Sequence, residues 1–187
     1  MNAYDFDETI YDGDCTFDFY RHCFSRFLGV RKHALSLIGP GTKFLFGKLD
    51  KTLWKQQFFG FLRSVEHIDL EIALFWDRNE KKIKRFYRQQ QRADDLIISA
   101  SPEFLLWPVM RRLSIKQMLG SPVDLYTGRY LGKNCHGEEK VRRLNVAYPD
   151  VEIDDFYSDS LSDLPMAKVA KRAFLVKGNR IREWRIS

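Results

Sequence analysis

Two carboxylates one residue apart, Asp5 and Asp7, stand where a short N-terminal apolar strand runs out, and they limit what this chain can build more than any other feature. In an extended chain residues i and i+2 face the same side, so both side chains project together beyond the strand end. At about 4 Å and an effective dielectric of about 20, two such charges repel by roughly 4 kcal/mol, enough to raise a pKa or to recruit a hard cation. An acidic surface turn explains the same spacing, since Asp and Gly are ordinary turn residues and Asp12, Gly13 and Asp14 follow. The rest of the chain has to choose between the two.

After Asp14 the pattern turns helical. Phe17, Tyr20, Phe24, Phe27 and Leu28 recur at spacings of three and four and predict one buried stripe. Gly39-Pro40-Gly41 breaks the run, a second stripe passes through Trp54, Phe58, Phe61, Leu62 and Val65, and a third segment from about Asp69 to Gln90 carries Leu70 and Leu74. Without strand-like alternation, residues 15–90 read as an all-helical insertion. From Asp95 the texture changes. Leu96-Ile97-Ile98 is a short apolar run of the kind found in buried parallel strands. A helix from Pro102 to Leu113 follows, with Pro108 predicting a kink or an early end. Residues 114–135 read as short strands or a hairpin around Gly128 and Gly132. Then come a helix over Gly137–Ala147, a strand over Val151–Tyr157, a helix over Leu164–Arg172 and a strand over Ala173–Val176. This alternation predicts an α/β fold, a doubly wound parallel sheet with helices on both faces.

Such sheets place their sites at the carboxyl ends of strands, and three predicted strands end in chemically able residues. Asp5 and Asp7 close the first, Ser99 follows the second, and Asp159 with Asp163 follows the strand that ends at Tyr157. Lys140 lies near a helix start, where a lysine opposes the macrodipole. Singly, each has a plain alternative as a cap, a turn residue or a solvated side chain. Jointly, their order along consecutive βα junctions points to one site.

Here the sequence resembles the haloacid dehalogenase (HAD) superfamily, and within it the phosphoserine phosphatase-like branch, which carries a helical cap. Asp5-Phe6-Asp7-Glu8-Thr9 matches the first motif, Ser99 the second, Lys140 the third, and Asp159-Ser160-Leu161-Ser162-Asp163 the fourth. The resemblance implies a Rossmann-like core of residues 1–14 and 91–187, with residues 15–90 as the cap. It implies a Mg²⁺-dependent phosphomonoesterase in which Asp5 takes the phosphoryl group as an aspartyl-phosphate and Asp7 is the general acid and base. It also implies that Asp5, Asp7 through its main-chain carbonyl, and Asp159 hold Mg²⁺, with Asp163 orienting a metal-bound water or Lys140. Ser99 and Lys140 bind the phosphoryl group, and Thr9 buttresses the loop. Asp14 stands near the position of the glutamate that phosphoserine phosphatases use to hold their amino acid, and no cap arginine can be assigned. The expected substrate is therefore a small phosphorylated metabolite other than phosphoserine. Transfer to an acceptor other than water would share the site.

Composition bounds the alternatives. A net charge of +6 over 187 residues permits attraction to phosphorylated partners without choosing among them. The basic residues Lys81, Lys82, Lys84, Arg85 and Arg88 read as a solvated helix face in preference to a polyanion-binding surface, so no nucleic-acid partner is expected. Phe44, Leu45, Phe46, Trp54, Phe58, Phe59 and Phe61, with Lys43, Lys48, Lys51 and Lys55, could form a surface for lipid phosphates at a membrane; a bundle core is the preferred reading. Cys15, Cys23 and Cys135 are odd in number and lack metal spacing, so they read as reduced thiols. The chain shows neither a run of about 20 apolar residues nor the opening of a signal peptide, and the expected location is cytoplasmic.

Overall fold

The computed structural model describes residues 1–38 and 57–186. The shortest strand is the organising one. β1 (Ala3–Tyr4) lies between β2 (Leu96–Pro102) and β4 (Ile153–Ser158), pairing Ala3 with Leu96 and Phe156, and Tyr4 with Ile97 and Tyr157. With β3 (Gln117–Ser121), β5 (Ala170–Lys177) and β6 (Arg180–Glu183), the sheet runs β3-β2-β1-β4-β5-β6. All neighbours are parallel except β5 and β6, which are antiparallel. Side chains alternate across it. Ala3, Leu96, Ile98 and Phe156 belong to one core cluster, Tyr4, Ile97 and Tyr157 to another on the opposite face. Burial on both faces is why these strands read as continuous apolar runs.

The first cluster is covered by α6 (Glu138–Ala147) and α7 (Leu164–Val169), which contribute Leu144, Met166 and Ala167. The second is larger. It joins the sheet to α1 (Cys15–Arg26), α2 (Leu28–Ser36), α3 (Ile68–Asn79), α4 (Arg85–Gln90) and α5 (Glu103–Arg112). Between β1 and β2 the described residues thus form helices, and their core is continuous with that of the sheet.

Several local expectations need correction. In α1 the buried residues are Cys15, Phe19 and Cys23, whereas Phe17, Phe24 and Leu28 are exposed. Asp14 caps the helix, its Oδ1 accepting from the Phe17 amide at 2.8 Å, and the inward face then follows a four-residue spacing from Cys15. In α3 Leu70 is exposed, while Ile68, Ile72, Phe75 and Trp76 are buried together with Glu71. Burial alone would raise the Glu71 pKa, but hydrogen bonds from Arg26 and His22 outweigh it and hold the carboxyl below its ordinary range. This pairing ties α1 to α3.

The basic stretch is not one helix either. α3 ends at Asn79, and the chain passes through a 3₁₀ turn over Glu80–Lys82 and two extended residues, Ile83 and Lys84, before α4 begins. Ile83 bridges Tyr11, and Lys84 is buried, so this segment turns inward and does not present a continuous basic face. Phe59 and Phe61 are buried in a 3₁₀ helix over Phe59–Ser64, which removes them from any lipid-facing surface; Lys43, Phe44, Leu45, Phe46, Lys48, Lys51, Trp54 and Lys55 lie outside the described residues. No helix of the described residues is long and apolar enough to cross a membrane. α5 continues through Pro108 to Arg112. In mid-helix the proline removes one intrahelical bond, to the Phe104 carbonyl, and burial of Leu105, Leu106, Val109 and Met110 holds the helix together.

The hairpin expected in residues 114–135 is present after β3, as an antiparallel bridge between Val123 and Tyr130 closed by Asp124, whose Oδ1 accepts from the Thr127 amide at 2.7 Å. It leans on the 3₁₀ helix. Arg63 Nε donates to the Thr127 carbonyl at 3.2 Å, and the Phe59 and Tyr130 rings meet at 6.0 Å. Gly128 has φ +71°, and a Cβ there would lie 2.2 Å from the Phe59 carbonyl oxygen. Gly128→Ala is therefore expected to destabilise the protein by about 1–3 kcal/mol, combining left-handed strain with a backbone clash, as read from the denaturant midpoint.

Candidate active site

The loop after β1 is built so that its apolar residue points in and its carboxylates point out. The Asp5 amide continues the β1 pairing by donating to the Tyr157 carbonyl at 2.9 Å. The Phe6 carbonyl then accepts from the amides of Ile10 and Tyr11 at 3.0 and 2.9 Å, closing a tight turn in which Glu8 takes φ +55°. Phe6 is fully buried, stacked on Tyr11 at 5.7 Å and edge-on to Trp76 at 6.1 Å. Lys84 braces the loop from below: its amide donates to the Ile10 carbonyl at 2.7 Å and its ammonium to the Glu8 carbonyl.

Beyond this loop lies a cavity of 530 Å³ lined by Asp5, Asp7, Ser99, Lys140, Asp159 and Asp163 among others. All six residues expected from the sequence meet there. Lys140, only 2% exposed, donates to Asp5 Oδ1 at 2.9 Å and to Asp163 Oδ2 at 2.7 Å. Burial opposes the ammonium charge, but the two carboxylates outweigh it and hold the Lys140 pKa above the ordinary lysine value. Ser158 donates to the same Asp163 oxygen at 2.8 Å, while Asp163 Oδ1 is buried without a hydrogen-bond partner. Thr9 links the first loop to the last: its hydroxyl accepts from the Asp159 amide at 2.9 Å and donates to Asp159 Oδ1 at 3.4 Å.

Asp7 is held by groups that the sequence reading passed over. Its carboxylate accepts from the Cys15 amide at 2.7 Å and from the Ser101 hydroxyl, and Ser101 is in turn 3.0 Å from the Thr16 hydroxyl. Burial, reinforced by the nearby Asp14 charge, pushes the Asp7 pKa up to about 6 against the pull of these donors. Ser99 and Ser101 sit two apart on β2, so they share a face, and the Ser101 amide donates to Ser99 Oγ at 3.1 Å. That spacing was the available signal. The helix expected to start at Pro102 starts at Glu103, and β2 runs through Ser101 to Pro102.

A model of haloacid dehalogenase-like hydrolases matches residues 3–168. The chain belongs to the haloacid dehalogenase-like hydrolase family. It is similar over 95 residues, at 31% identity, to the histidinol-phosphatase of Neisseria meningitidis serogroup C (strain 8013), a stretch covering 44% of this chain and 43% of that protein, so the chain spans less than half of that relative's length. In structure it is similar to a protein of unknown function from Bordetella pertussis Tohama I, with TM-score 0.71 and 19% identity over 92% of this chain and 87% of the other. It is also similar to an unliganded probable phosphoserine phosphatase from Vibrio cholerae, with TM-score 0.62 and 14% identity over 92% of this chain and 55% of the other. These two likenesses are likenesses of fold, and they set this HAD protein beside phosphoserine phosphatase-like structures.

The charges of the HAD site do not balance by themselves. Among the described lining residues one lysine ammonium meets the carboxylates of Asp5, Asp7, Asp159 and Asp163. Burial raises the Asp5 pKa, and the Asp163 and Asp7 charges add to this, against the opposing pull of Lys140. A hard divalent cation suits such an oxygen-rich, net-negative pocket. No group of three Asp, Glu, His or Cys side chains placed to hold a metal ion occurs among the described residues.

Replacing Lys140 by Met leaves Asp5 and Asp163 buried and uncompensated. The variant is expected to lose about 3–5 kcal/mol near neutral pH. Because Asp5 would then take up a proton more readily folded than unfolded, the deficit should narrow as pH falls, measured by urea unfolding without divalent cations at about pH 7.5 and about pH 5.

Proposed function

We propose that this HAD protein is a Mg²⁺-dependent phosphomonoesterase that acts on a small phosphorylated metabolite through an aspartyl-phosphate. The observation that carries this reading is the buried Lys140 bridge between Asp5 and Asp163, in the cavity that also holds Asp7, Ser99 and Asp159. In this reading residues 1–14 and 91–187 form the catalytic core and residues 15–90 the cap, and the protein works in the cytoplasm.

Lys140 engages Asp5 Oδ1, so the other carboxylate oxygen attacks phosphorus. As that bond forms, the ester P–O bond breaks and Asp7 delivers its proton to the departing oxygen. Asp7, now a base, takes a proton from the water that attacks the phosphoryl group on Asp5, and phosphate leaves. The Ser99 hydroxyl donates to a phosphoryl oxygen, and Lys140 stabilises charge on the phosphoryl group and on Asp5. The Asp5 carboxylate, the Asp7 main-chain carbonyl and Asp159 would hold Mg²⁺, which would add to the Lys140 ammonium the positive charge that lets a phosphate dianion approach these carboxylates. Asp163 orients Lys140, and its unpartnered Oδ1 would be free to accept from a metal-bound water. The Ser101 and Cys15 donors aim the Asp7 carboxyl.

Asp5→Asn should lower phosphate release from an aryl phosphate by about 10³-fold or more. Chelation should abolish the wild-type activity and Mg²⁺ restore it; full activity of Asp5→Asn would refute the nucleophile assignment. Asp7→Asn should slow alkyl esters by about 10²–10⁴-fold and aryl esters much less, since a phenolate leaves without a proton. With its pKa pushed up to about 6, Asp7 keeps its proton below that pH, so wild-type kcat/KM for alkyl esters should fall as pH rises past it. That descent should disappear in Asp7→Asn.

A further inference from the structure

We propose that the substrate's leaving group has an apolar, ring-sized body and no second anionic group, and that Phe17, Phe58 and Phe59 select it. The proposal rests on the phosphatase reading and concerns only what lies beyond the phosphate.

The 530 Å³ cavity falls within the range of about 300–1,000 Å³ that encloses whole organic ligands, so it has room for more than a phosphate. Besides its polar residues it is lined by three phenylalanines, 17, 58 and 59. Phe17 is 51% exposed, on a helix whose core face is made by other residues. The rings are fixed in place before any ligand arrives. Phe58 packs on Tyr20 at 4.9 Å and on Phe59 at 5.6 Å, and Phe17 stacks on Tyr20 at 6.2 Å. Phe59 is backed by Tyr130 and by Gly128, where the hairpin leaves no space for a side chain. A rigid aromatic wall beside a phosphate site gains most from an apolar group laid against it, because little ordering entropy is lost on contact.

Charge narrows the choice further. Among the described lining residues there is no arginine; the Lys140 ammonium is already engaged by Asp5 and Asp163, and the one other nitrogen-bearing side chain among them is the His136 ring. Glu8 and Asp14, both exposed, add two carboxylates to the lining. A leaving group with a carboxylate or a second phosphate would meet repulsion there, with no ammonium or guanidinium among the described lining residues left to offset it.

The test compares 2-phenylethyl phosphate with glycerol 1-phosphate, both primary alkyl esters of matched intrinsic reactivity, and with O-phosphoserine, using the full chain and Mg²⁺. In the wild type kcat/KM for the phenylethyl ester should exceed that for the glycerol ester by about tenfold or more, with O-phosphoserine the poorest. Phe58→Ala should bring the phenylethyl-to-glycerol ratio close to one, and Phe58→Leu should retain most of it. Phe17→Ser, at an exposed position where folding is not at stake, should lower the ratio as well. A wild-type ratio near one, a ratio unmoved by both Phe58→Ala and Phe17→Ser, or O-phosphoserine as the best of the three would overturn the proposal while leaving the phosphatase reading intact. Failure to release phosphate from any of the esters would overturn both.

Discussion

A lysine ammonium closed off from solvent between two aspartates is the interaction on which this molecule depends. Lys140 comes from the first turn of α6, Asp5 from the end of β1, and Asp163 from the start of α7, so one side chain fixes three elements that are distant in sequence. Burying such a charge is tolerable only because both partners lie within 3 Å and Ser158 completes the set. The arrangement also explains why the pocket remains electronegative. One ammonium cannot satisfy every carboxylate around it, and the shortfall leaves the pocket net negative among its described lining residues.

The loop after β1 is as much a product of the core as of the site. Phe6, between the two carboxylates, is driven inward against Tyr11 and Trp76, and the alternation of an extended chain then sends Asp5 and Asp7 the other way. Trp76 belongs to α3 and donates to the Leu105 carbonyl of α5 at 2.7 Å, so the helical insertion and the helix that follows β2 meet beneath the loop. Lys84 closes the same region from α4's leading edge. Few groups here have freedom to move independently, which is what a site that must present charges in fixed register requires.

Much of this was legible in the chain itself, for identifiable reasons. The pairing of Asp5 with Asp7 follows from the two-residue repeat of a strand, and Ser99, Lys140, Asp159 and Asp163 follow from the rule that parallel sheets collect their chemistry at strand carboxyl ends. What escaped was set by tertiary packing. Phe17 and Phe24 form a stripe as regular as the real one through Cys15, Phe19 and Cys23, and periodicity cannot tell which stripe meets the sheet when the inward one contains small, weakly hydrophobic thiols. Lys84 looked solvated because a chain reversal at Ile83 interrupts what reads as continuous helix. Ser101 was hidden by Pro102, whose usual place at a helix start obscured the last residues of β2.

The three cysteines are all buried, and one of them touches Asp7 and Ser101. Cys15 starts α1, a position that ordinarily favours thiolate, yet burial and the adjacent Asp7 charge push its pKa well above the ordinary value. Desolvation likewise pushes Cys23 and Cys135 up to about 12. Thiolate, the form that reacts with peroxide and alkylating agents, is therefore scarce at every position. The Cys15 amide donates to Asp7 and its thiol to Ser101, the serine that also donates to Asp7, so the sulfur stands beside this carboxylate in its protonated form.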